Sequence, residues 1–214
     1  PIKEVILGGF EQLKETYKNI REMKIIGTFL LAFWLYEDGV ATIVRMAGKI
    51  ASSLGFAAGD IITAILLVQF IGFPASLAYS WFGEKIGTKN AVLVAIMGYG
   101  IITLMGYLMT DIIHFYILAT LIGLFQGGIQ SLSRSLFTRL VPKNKEAQFF
   151  GFYNMLGKFA AVMGPILVGW ITLYTGNART GILSIVVLFL LGGFLLMRVD
   201  FEKGELIANE FNKN

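Results

Sequence analysis

Two adjacent acids, Glu37 and Asp38, stand inside an otherwise apolar stretch, WLYEDGVATIVR. An ionised side chain at the centre of a membrane-spanning helix costs about 2.5–3.5 kcal/mol. Such an acid therefore faces water or a protein partner. It either binds a substrate or a proton, or it forms a structural ion pair that fixes helix packing, with Arg45 or Lys158 as the available cations.

Other polar side chains recur at helical spacing. Gln126, Gln130 and Arg134 are spaced i, i+4, i+8, and Asn154 and Lys158 are spaced i, i+4. Each set therefore shares one helix face. Stripes of this kind line a water-filled path or a shared helix interface, so the glutamines either orient a substrate or bond neighbouring helices. Arg134 either binds an anionic group or extends to the membrane surface.

Only one of the two adjacent acids is expected to face such a path, because successive residues on a helix point about 100° apart. We expect it to be Asp38, which shares a face with Thr42 and Arg45 at spacing i, i+4, i+7. Asp38 and Glu37 are thus the leading candidates for a substrate or proton site. The predicted candidates on the other helices are Lys158, Gln126, Gln130, Arg134 and Asn154.

The elements that must position these residues are six apolar segments. The chain has 214 residues, of which 56% are hydrophobic and 15% charged, against about 25% charged in ordinary soluble domains. A bilayer core about 30 Å thick needs about 20 apolar residues per helix. Since backbone groups in lipid need internal partners, we predict an all-α polytopic membrane protein. Spans one to six are predicted at 25–45, 57–79, 90–109, 113–137, 148–173 and 178–198.

Basic residues are distributed unequally between the two sides of this arrangement. The termini, the loop between spans two and three and the loop between spans four and five hold 13 of the 18 Lys and Arg residues. The opposite side holds three, Arg45, Lys49 and Arg179, and Arg134 and Lys158 lie within spans. The excess of positive charge predicts that both termini are cytoplasmic.

The chain divides into three predicted parts. Residues 1–23 show apolar residues near helical spacing, which predicts an amphipathic connector helix, either along the cytoplasmic interface or as a soluble linker. Residues 24–199 form the six-helix transmembrane domain. Residues 200–214 are polar and are expected to form a loosely ordered cytoplasmic tail.

Composition also bears on the chemistry to expect. With no Cys and one His, the chain offers neither a thiolate nor a histidine cluster for a metal, so we expect no metal and no cofactor. An intramembrane acid protease needs acids on facing helices, whereas Glu37 and Asp38 are neighbours on one helix. We therefore expect no enzyme. The sequence pI of about 9.3 is attributed to membrane sidedness, not to nucleic-acid binding.

Helix-breaking residues occur at corresponding places in the two triplets of spans. Gly39 in span one matches Gly127 and Gly128 in span four, and Pro74 in span two matches Pro165 in span five. Glycine loosens a helix or lets another helix approach closely, and proline kinks its helix. Matched interruptions in a 3+3 repeat are typical of a transporter binding region. Spans three and six carry no internal charge and are predicted to be peripheral.

The chain resembles the C-terminal six-helix half of a major facilitator superfamily transporter, and within it a bacterial-type member of the vacuole-effluxer-like family of autophagy-related amino-acid effluxers. The stretches that carry the resemblance are FLLAFWLYEDGVATIVRMAG at 29–48 and GGIQSLSRSLFTRLVPKNKEAQFFGFYNMLGKFAAVMGP at 127–165. The resemblance implies that spans one, two, four and five surround a cavity. It also implies a missing N-terminal six-helix half and residence in a bacterial inner membrane.

A shorter segment, GEKIGTK, resembles the cytoplasmic gating loop of that superfamily. Glu84, Lys85, Gly87 and Lys89 match its core, while Thr88 replaces a usual basic residue. The resemblance assigns a charge-relay clamp to this loop.

The leading hypothesis is one half of a secondary active transporter that moves a small polar solute, such as an amino acid, by alternating access and with proton coupling. The alternative is a non-transporting membrane scaffold or a homodimeric half-transporter, in which a second copy replaces the missing half. Under the leading hypothesis, replacement of Asp38 or Lys158 is expected to abolish transport without loss of expression.

Overall fold

The computed structural model describes residues 24–211, and within this range it is helical with no strand. A single 3-10 turn, Lys143–Lys145, precedes the fifth helix. The helices are α1 Lys24–Ser53, α2 Ala58–Ile86, α3 Thr88–Leu108, α4 Ile112–Leu140, α5 Glu146–Phe159, α6 Met163–Thr175, α7 Ala178–Leu183, α8 Ile185–Arg198 and α9 Phe201–Phe211.

Six segments of this range are long and apolar enough to cross a membrane, as predicted. Spans one to four are α1 to α4, span five is α5 with α6, and span six is α7 with α8. The fold class is therefore confirmed as an all-α six-span protein, consistent with half of the major facilitator fold.

Two helices extend furthest beyond the spans that the sequence predicts. The α1 helix continues to Ser53 and α2 to Ile86, whereas the predicted spans end at 45 and 79. The added segments contain Lys49, Glu84 and Lys85, which are compatible with a helix although not with lipid. Polarity thus marks where the apolar span ends and does not mark where the helix ends.

The centre of the fold is formed by α1 and α4. The α1 helix packs along α8, and α4 packs along α2 and α3. Aromatic rings join α1, α4 and α5: Phe29 stacks on Phe137 at 5.9 Å between centroids, and Phe137 stacks on Tyr153 at 4.7 Å. Stacked rings of this kind add about 0.5–1.5 kcal/mol each beyond the area that they bury.

The contact between α2 and α4 is unusually close because glycines face it. A Cβ added at Gly127 would lie 2.8 Å from the Gly72 carbonyl oxygen, and one added at Gly123 would lie 3.0 Å from the Val68 carbonyl oxygen. Gly123 and Gly127 are one helical turn apart, so they form a small-xxx-small face on which backbones meet directly. This contact holds span two against span four.

The expectation that glycines interrupt the helices of spans one and four is wrong. The α1 helix runs unbroken through Gly39, and α4 runs unbroken through Gly127 and Gly128. Each glycine makes room for a neighbouring helix: Gly39 faces the ring of Phe189, and Gly128 faces the ring of Tyr79. Of the two roles that the sequence allows for glycine, close approach is therefore the one observed.

The matched prolines behave differently from one another. The α2 helix runs unbroken through Pro74 over 29 residues. Span five is interrupted between α5 and α6, where Ala160 adopts φ −68° and ψ 75°, outside the helical region. Pro165 is the third residue of α6, a place where a missing N–H costs little because the first turn has no intrahelical acceptors.

The expectation of a loosely ordered tail is wrong for Phe201–Phe211, which forms α9. Phe201, Gly204 and Ala208 recur at spacing three and four and are buried, so one face of α9 packs on the bundle. The glycine allows this contact, since a Cβ at Gly204 would overlap the side chain of Leu140. The predicted connector helix at 1–23 lies outside the described residues.

Candidate functional site

A cavity of about 420 Å³ opens between spans one, four and five. Its wall combines an acid, two bases, two amides and two aromatic rings. The residues that line it are Phe33, Glu37, Gln130, Arg134, Tyr153, Asn154, Gly157 and Lys158. The structure thus brings together five of the seven candidates from the sequence, excluding Asp38 and Gln126.

Glu37 is the acid of this cavity, and its two oxygens have different surroundings. Oε1 accepts a hydrogen bond of 3.4 Å from the Gln130 side-chain amide. Oε2 is buried and has no hydrogen-bond partner within residues 24–211. A buried carboxylate oxygen without a donor is costly, so this oxygen is a natural position for a proton or a bound cation.

The basic side chains enter the cavity from spans four and five. Arg134 lies on α4 one turn beyond Gln130, and its guanidinium carbon is 5.2 Å from the centre of the Phe150 ring. Lys158 lies in the last turn of α5, where the helix dipole favours a cation. No ion pair formed within the described range includes either base, so both are available to an anionic group.

Three aromatic residues that the sequence reasoning did not select lie at this site: Phe33 and Tyr153 line the cavity, and Tyr36 packs against Phe33 without lining it. Phe33, one turn before Glu37, stacks on Tyr153 with 4.1 Å between centroids. Tyr36 is fully buried and its hydroxyl is 2.7 Å from the Ser133 hydroxyl, which joins span one to span four. The i, i+4 relation of Phe33 to Glu37 was the available signal, because it places a ring on the same face as the acid.

The prediction that Asp38 is the acid facing the cavity is wrong. Asp38 is 1% exposed and lies on the next face of α1, against the interruption of span five. Its Oδ2 accepts a 2.8 Å hydrogen bond from the backbone N–H of Gly164, and its Oδ1 is 3.5 Å from the Thr42 hydroxyl. The shared face of Asp38, Thr42 and Arg45 exists, but it contacts backbone and does not line the cavity.

Two further expectations about the cavity need correction. Gln126 does not line it, although it shares a stripe with Gln130 and Arg134; its Oε1 is buried without a partner within the described residues. Span two contributes no lining residue either, so three spans and not four form this wall. Spans three and six are also absent from the lining, and their peripheral position stays a prediction.

The predicted gating loop joins α2 to α3 at the end of the bundle where α9 lies. Gly87 adopts φ +87°, which favours glycine, and separates the two helices. The Lys89 ammonium donates to the backbone carbonyls of Met197 and Val199 at 2.9 and 2.8 Å, so it holds the end of span six. The Lys85 ammonium lies 3.8 Å from the centre of the Trp81 ring.

Glu84 of the same loop is exposed and forms no ion pair within residues 24–211. The link across this end of the bundle is made by Arg139, at the end of α4, and Glu205 of α9. A charge-relay role for Glu84 and Lys85 therefore stays a proposal, while Lys89 has a visible structural contact.

Comparison with known proteins identifies the family of this helical half-bundle. A family model described as vacuole effluxer Atg22 like matches residues 1–209. The chain belongs to the Atg22-like vacuole effluxer family. The cavity between spans one, four and five is thus part of a transporter-family fold.

Individual relatives of this Atg22-like chain come from bacteria and fungi. It is 36% identical over 208 residues to an uncharacterized MFS-type transporter, YxiO, of Bacillus subtilis strain 168, with 97% of this chain and 49% of the relative covered. It is 31% identical over 209 residues to autophagy-related protein 22 of Yarrowia lipolytica, covering 92% and 35%. Autophagy-related protein 22-1 of Phaeosphaeria nodorum is also 31% identical, over 193 residues, covering 82% and 34%.

The Atg22-like chain spans half or less of the length of these relatives. The family match, residues 1–209, contains the six spans and every residue of the cavity. The recognition of a half of a major facilitator transporter of the vacuole-effluxer type is therefore confirmed.

Proposed function

We propose that this chain is the C-terminal half of a secondary active transporter that moves a small polar solute, of the amino-acid class, by alternating access. The supporting observation is the composition of the cavity wall. One carboxylate, one ammonium, one guanidinium and two amides surround about 420 Å³. A zwitterionic solute has an ammonium that complements Glu37 and a carboxylate that complements Lys158 or Arg134.

In this proposal the cavity is half of a complete binding site. Spans two and five expose large apolar side chains, among them Phe70, Phe73, Trp81, Trp170 and Leu173. Together with the greater length of the relatives, these surfaces favour an N-terminal half as the partner that closes the cavity. The alternative is a second copy of this chain; a homodimer of the 23.6 kDa chain in native mass spectrometry would favour it.

Glu37 is proposed as the proton-carrying group. Its Oε2 lacks a donor within the described residues, and no cation pairs with it there. A carboxylate in that position is stabilised when it takes up either a proton or the ammonium of a substrate. Competition between the two for one oxygen would couple proton movement to solute movement.

The test uses the full-length protein in proteoliposomes, with a ¹⁴C-labelled mixture of L-amino acids as solute and a trapped pH-sensitive dye. Glu37→Gln is expected to abolish solute-dependent proton flux while exchange of labelled for unlabelled solute continues. Glu202→Gln, which changes an exposed acid at the α9 end, is the matched control. Unchanged proton flux in Glu37→Gln would rule out Glu37 as the carrier, and no uptake by the unaltered protein would rule out the solute class.

Lys158 is proposed to bind the carboxylate of the solute. Because a hydrogen bond to a charged group contributes about 1.5–3 kcal/mol, Lys158→Gln is expected to raise KM about 10- to 100-fold. The maximal rate should fall less than this. A KM equal to that of the unaltered protein would assign Lys158 a structural role instead.

The similarity to a Bacillus subtilis protein leads us to propose a bacterial inner membrane as the location. From the distribution of basic residues we propose that the loop after span two, the loop after span four and α9 lie on the cytoplasmic side. A charged thiol reagent added to right-side-out vesicles should not label Glu202→Cys until the membrane is opened. Immediate labelling would reverse the proposed orientation.

A further inference from the structure

The interruption of span five is held on both sides by side chains of span one. The Asp38 Oδ2 accepts the N–H of Gly164, which is the second residue of α6. Arg45 lies about one helical turn after Thr42 on α1. A nitrogen of its guanidinium group donates to the Ala161 carbonyl oxygen at 3.5 Å. Asp38 and Arg45 thus contact the two kinds of backbone group that a broken helix leaves without a partner.

These two contacts supply partners to two backbone groups of span five that lack an intrahelical hydrogen bond. Residue 161 is four residues before Pro165, so its carbonyl would face the proline, which has no N–H to donate, even if span five were an uninterrupted helix. The N–H of Gly164 belongs to the first turn of α6 and has no intrahelical acceptor. The residue at the N-cap position, Val162, has no side chain that can accept a hydrogen bond. Asp38 supplies this cap from another helix.

The local packing is built around the cap. A Cβ at residue 164 would overlap the Thr42 hydroxyl, so only glycine lets α6 approach α1 this closely. Asp38 is 1% exposed and Thr42 is fully buried, which excludes both from the solvent-facing wall. The carboxylate charge also complements the positive end of the α6 dipole.

We propose that Asp38 is a positioning residue of the transport cavity, which caps α6 across the helix interface and thereby sets the place of Lys158 on the adjoining α5. The inference rests on the proposed function only for the role of Lys158. The backbone ladder is interrupted between α5 and α6, so span five has no continuous helix to fix the relative direction of its halves. The contacts of span one supply that constraint instead. Asp38 therefore neither carries a proton nor touches the solute.

The decisive variant is Asp38→Asn, because it keeps the cap and removes the charge. The amide oxygen of Asn accepts a backbone N–H as readily as a carboxylate does. Its amide nitrogen would occupy the position of Oδ1 and donate to the Thr42 hydroxyl, which accepts as well as donates. Asp38→Ala has the same backbone and no cap.

The position of residue 158 is measured directly by labelling. Lys158→Cys is introduced into the full-length protein after any cysteine outside this chain is changed to Ser; the chain itself contains none. The rate of modification by a methanethiosulfonate ethylammonium reagent is expected to stay within about twofold in the Asp38→Asn background and to change roughly tenfold with Asp38→Ala, in line with the loss of a cap. Uptake of the ¹⁴C-labelled amino-acid mixture by Asp38→Asn with Lys158 intact should stay within about threefold, with Asp38→Ala raising KM more than it lowers the maximal rate.

Two results would overturn the inference. A folded Asp38→Asn protein without transport would show that the charge is required, which is the behaviour of a proton or substrate site. Equal labelling of residue 158 in Asp38→Ala and Asp38→Asn would show that the cap does not position it. If Asp38→Ala does not fold, Asp38→Asn alone still decides between cap and charge. Failure of the proposed function would appear elsewhere, as unchanged transport in Lys158→Gln and Glu37→Gln.

Discussion

Spans two and five hold corresponding places in the two triplets of helices, and each contains a proline, yet they are stabilised in different ways. Span two is one helix of 29 residues that rests on span four through glycines, with backbone facing backbone. Span five is two helices of 14 and 13 residues, and its interruption is held by the side chains of Asp38 and Arg45. The first arrangement is fixed along the length of two helices, whereas the second is fixed by a few side-chain contacts at a helix end.

The difference follows from which atoms make the contact. Where a glycine face meets backbone carbonyls, helices approach closely and any added atom separates them along their length. Where a side chain holds a helix end, one rotamer change releases the contact. In the proposed alternating-access cycle, α5 and α6 are therefore the parts of this chain expected to move relative to each other, while α2 and α4 move as one unit.

The largest loss of stability is expected at the glycine contact between α2 and α4. Gly127→Ala places a Cβ 2.8 Å from the Gly72 carbonyl oxygen and from the Ser76 Cβ, and neither can rotate away. We expect a loss of about 3 kcal/mol of stability, the upper part of the usual range for overpacking. The thermal midpoint in detergent, followed by size-exclusion chromatography, measures this loss.

Gly100→Ala is the matched control for that substitution. It also lies in a helix, and a Cβ there meets nothing within 4 Å in the described part of the chain. Alanine should then stabilise α3 slightly, by up to about 1 kcal/mol, because it forms helix better than glycine. Equal thermal midpoints for the two variants would mean that α2 and α4 are not packed backbone to backbone.

A smaller effect is expected at the side-chain contact. Gly164→Ala introduces a Cβ that overlaps the Thr42 hydroxyl. Because α6 is joined to α5 by an irregular segment, it can shift away from α1, and we expect a cost of about 1.5 kcal/mol. The partner substitution Thr42→Ala in the same protein should restore part of the loss, since the two residues are in contact. No recovery in the double variant would place the strain elsewhere.

The sequence was sufficient for the parts of this fold that depend on hydrophobicity and spacing. Six apolar segments predicted six spans, and the i, i+4 stripes correctly grouped Gln130 with Arg134 and Asn154 with Lys158. The choice between Glu37 and Asp38 failed, because spacing says which residues share a face but not which neighbour that face meets. In the structure, Thr42 and Arg45 face backbone groups of span five. These groups are accessible only because the helix of span five is interrupted there.

The interruption itself was placed near Pro165 by the sequence, yet it lies at residues 160–162. Glycine and proline have more than one structural role, and the partner decides between them. Gly127 is a contact site because Gly72 lies opposite, and α2 continues as one helix through Pro74. The α9 helix was not predicted for a related reason, because its composition is mainly polar. Its buried face, which contains Phe201, Gly204 and Ala208, is stabilising only when it packs on a helix bundle.

The smallest effect on stability is expected from Pro165→Ala. This variant tests whether the proline maintains the interruption of span five. Pro165 is the third residue of α6, where no N–H bond is lost, so its removal should change stability by less than about 0.5 kcal/mol. Pro74→Ala, in the interior of a 29-residue helix, should stabilise more, by about 1 kcal/mol, because it restores a bond. Thermal midpoints of the two variants, measured side by side, give this order.

Hydrogen exchange of the segment 160–165 then separates the two causes of the interruption. If Asp38 and Arg45 maintain it, these amides exchange as before in Pro165→Ala, because Gly164 N–H and the Ala161 carbonyl already have partners. Asp38→Ala combined with Pro165→Ala removes both the cap and the proline, so the helix can close and exchange should slow. If Pro165→Ala alone slows exchange and raises the thermal midpoint as much as Pro74→Ala does, proline maintains the interruption. The contrast between a backbone-supported span and a side-chain-held span would then reduce to the different positions of two prolines.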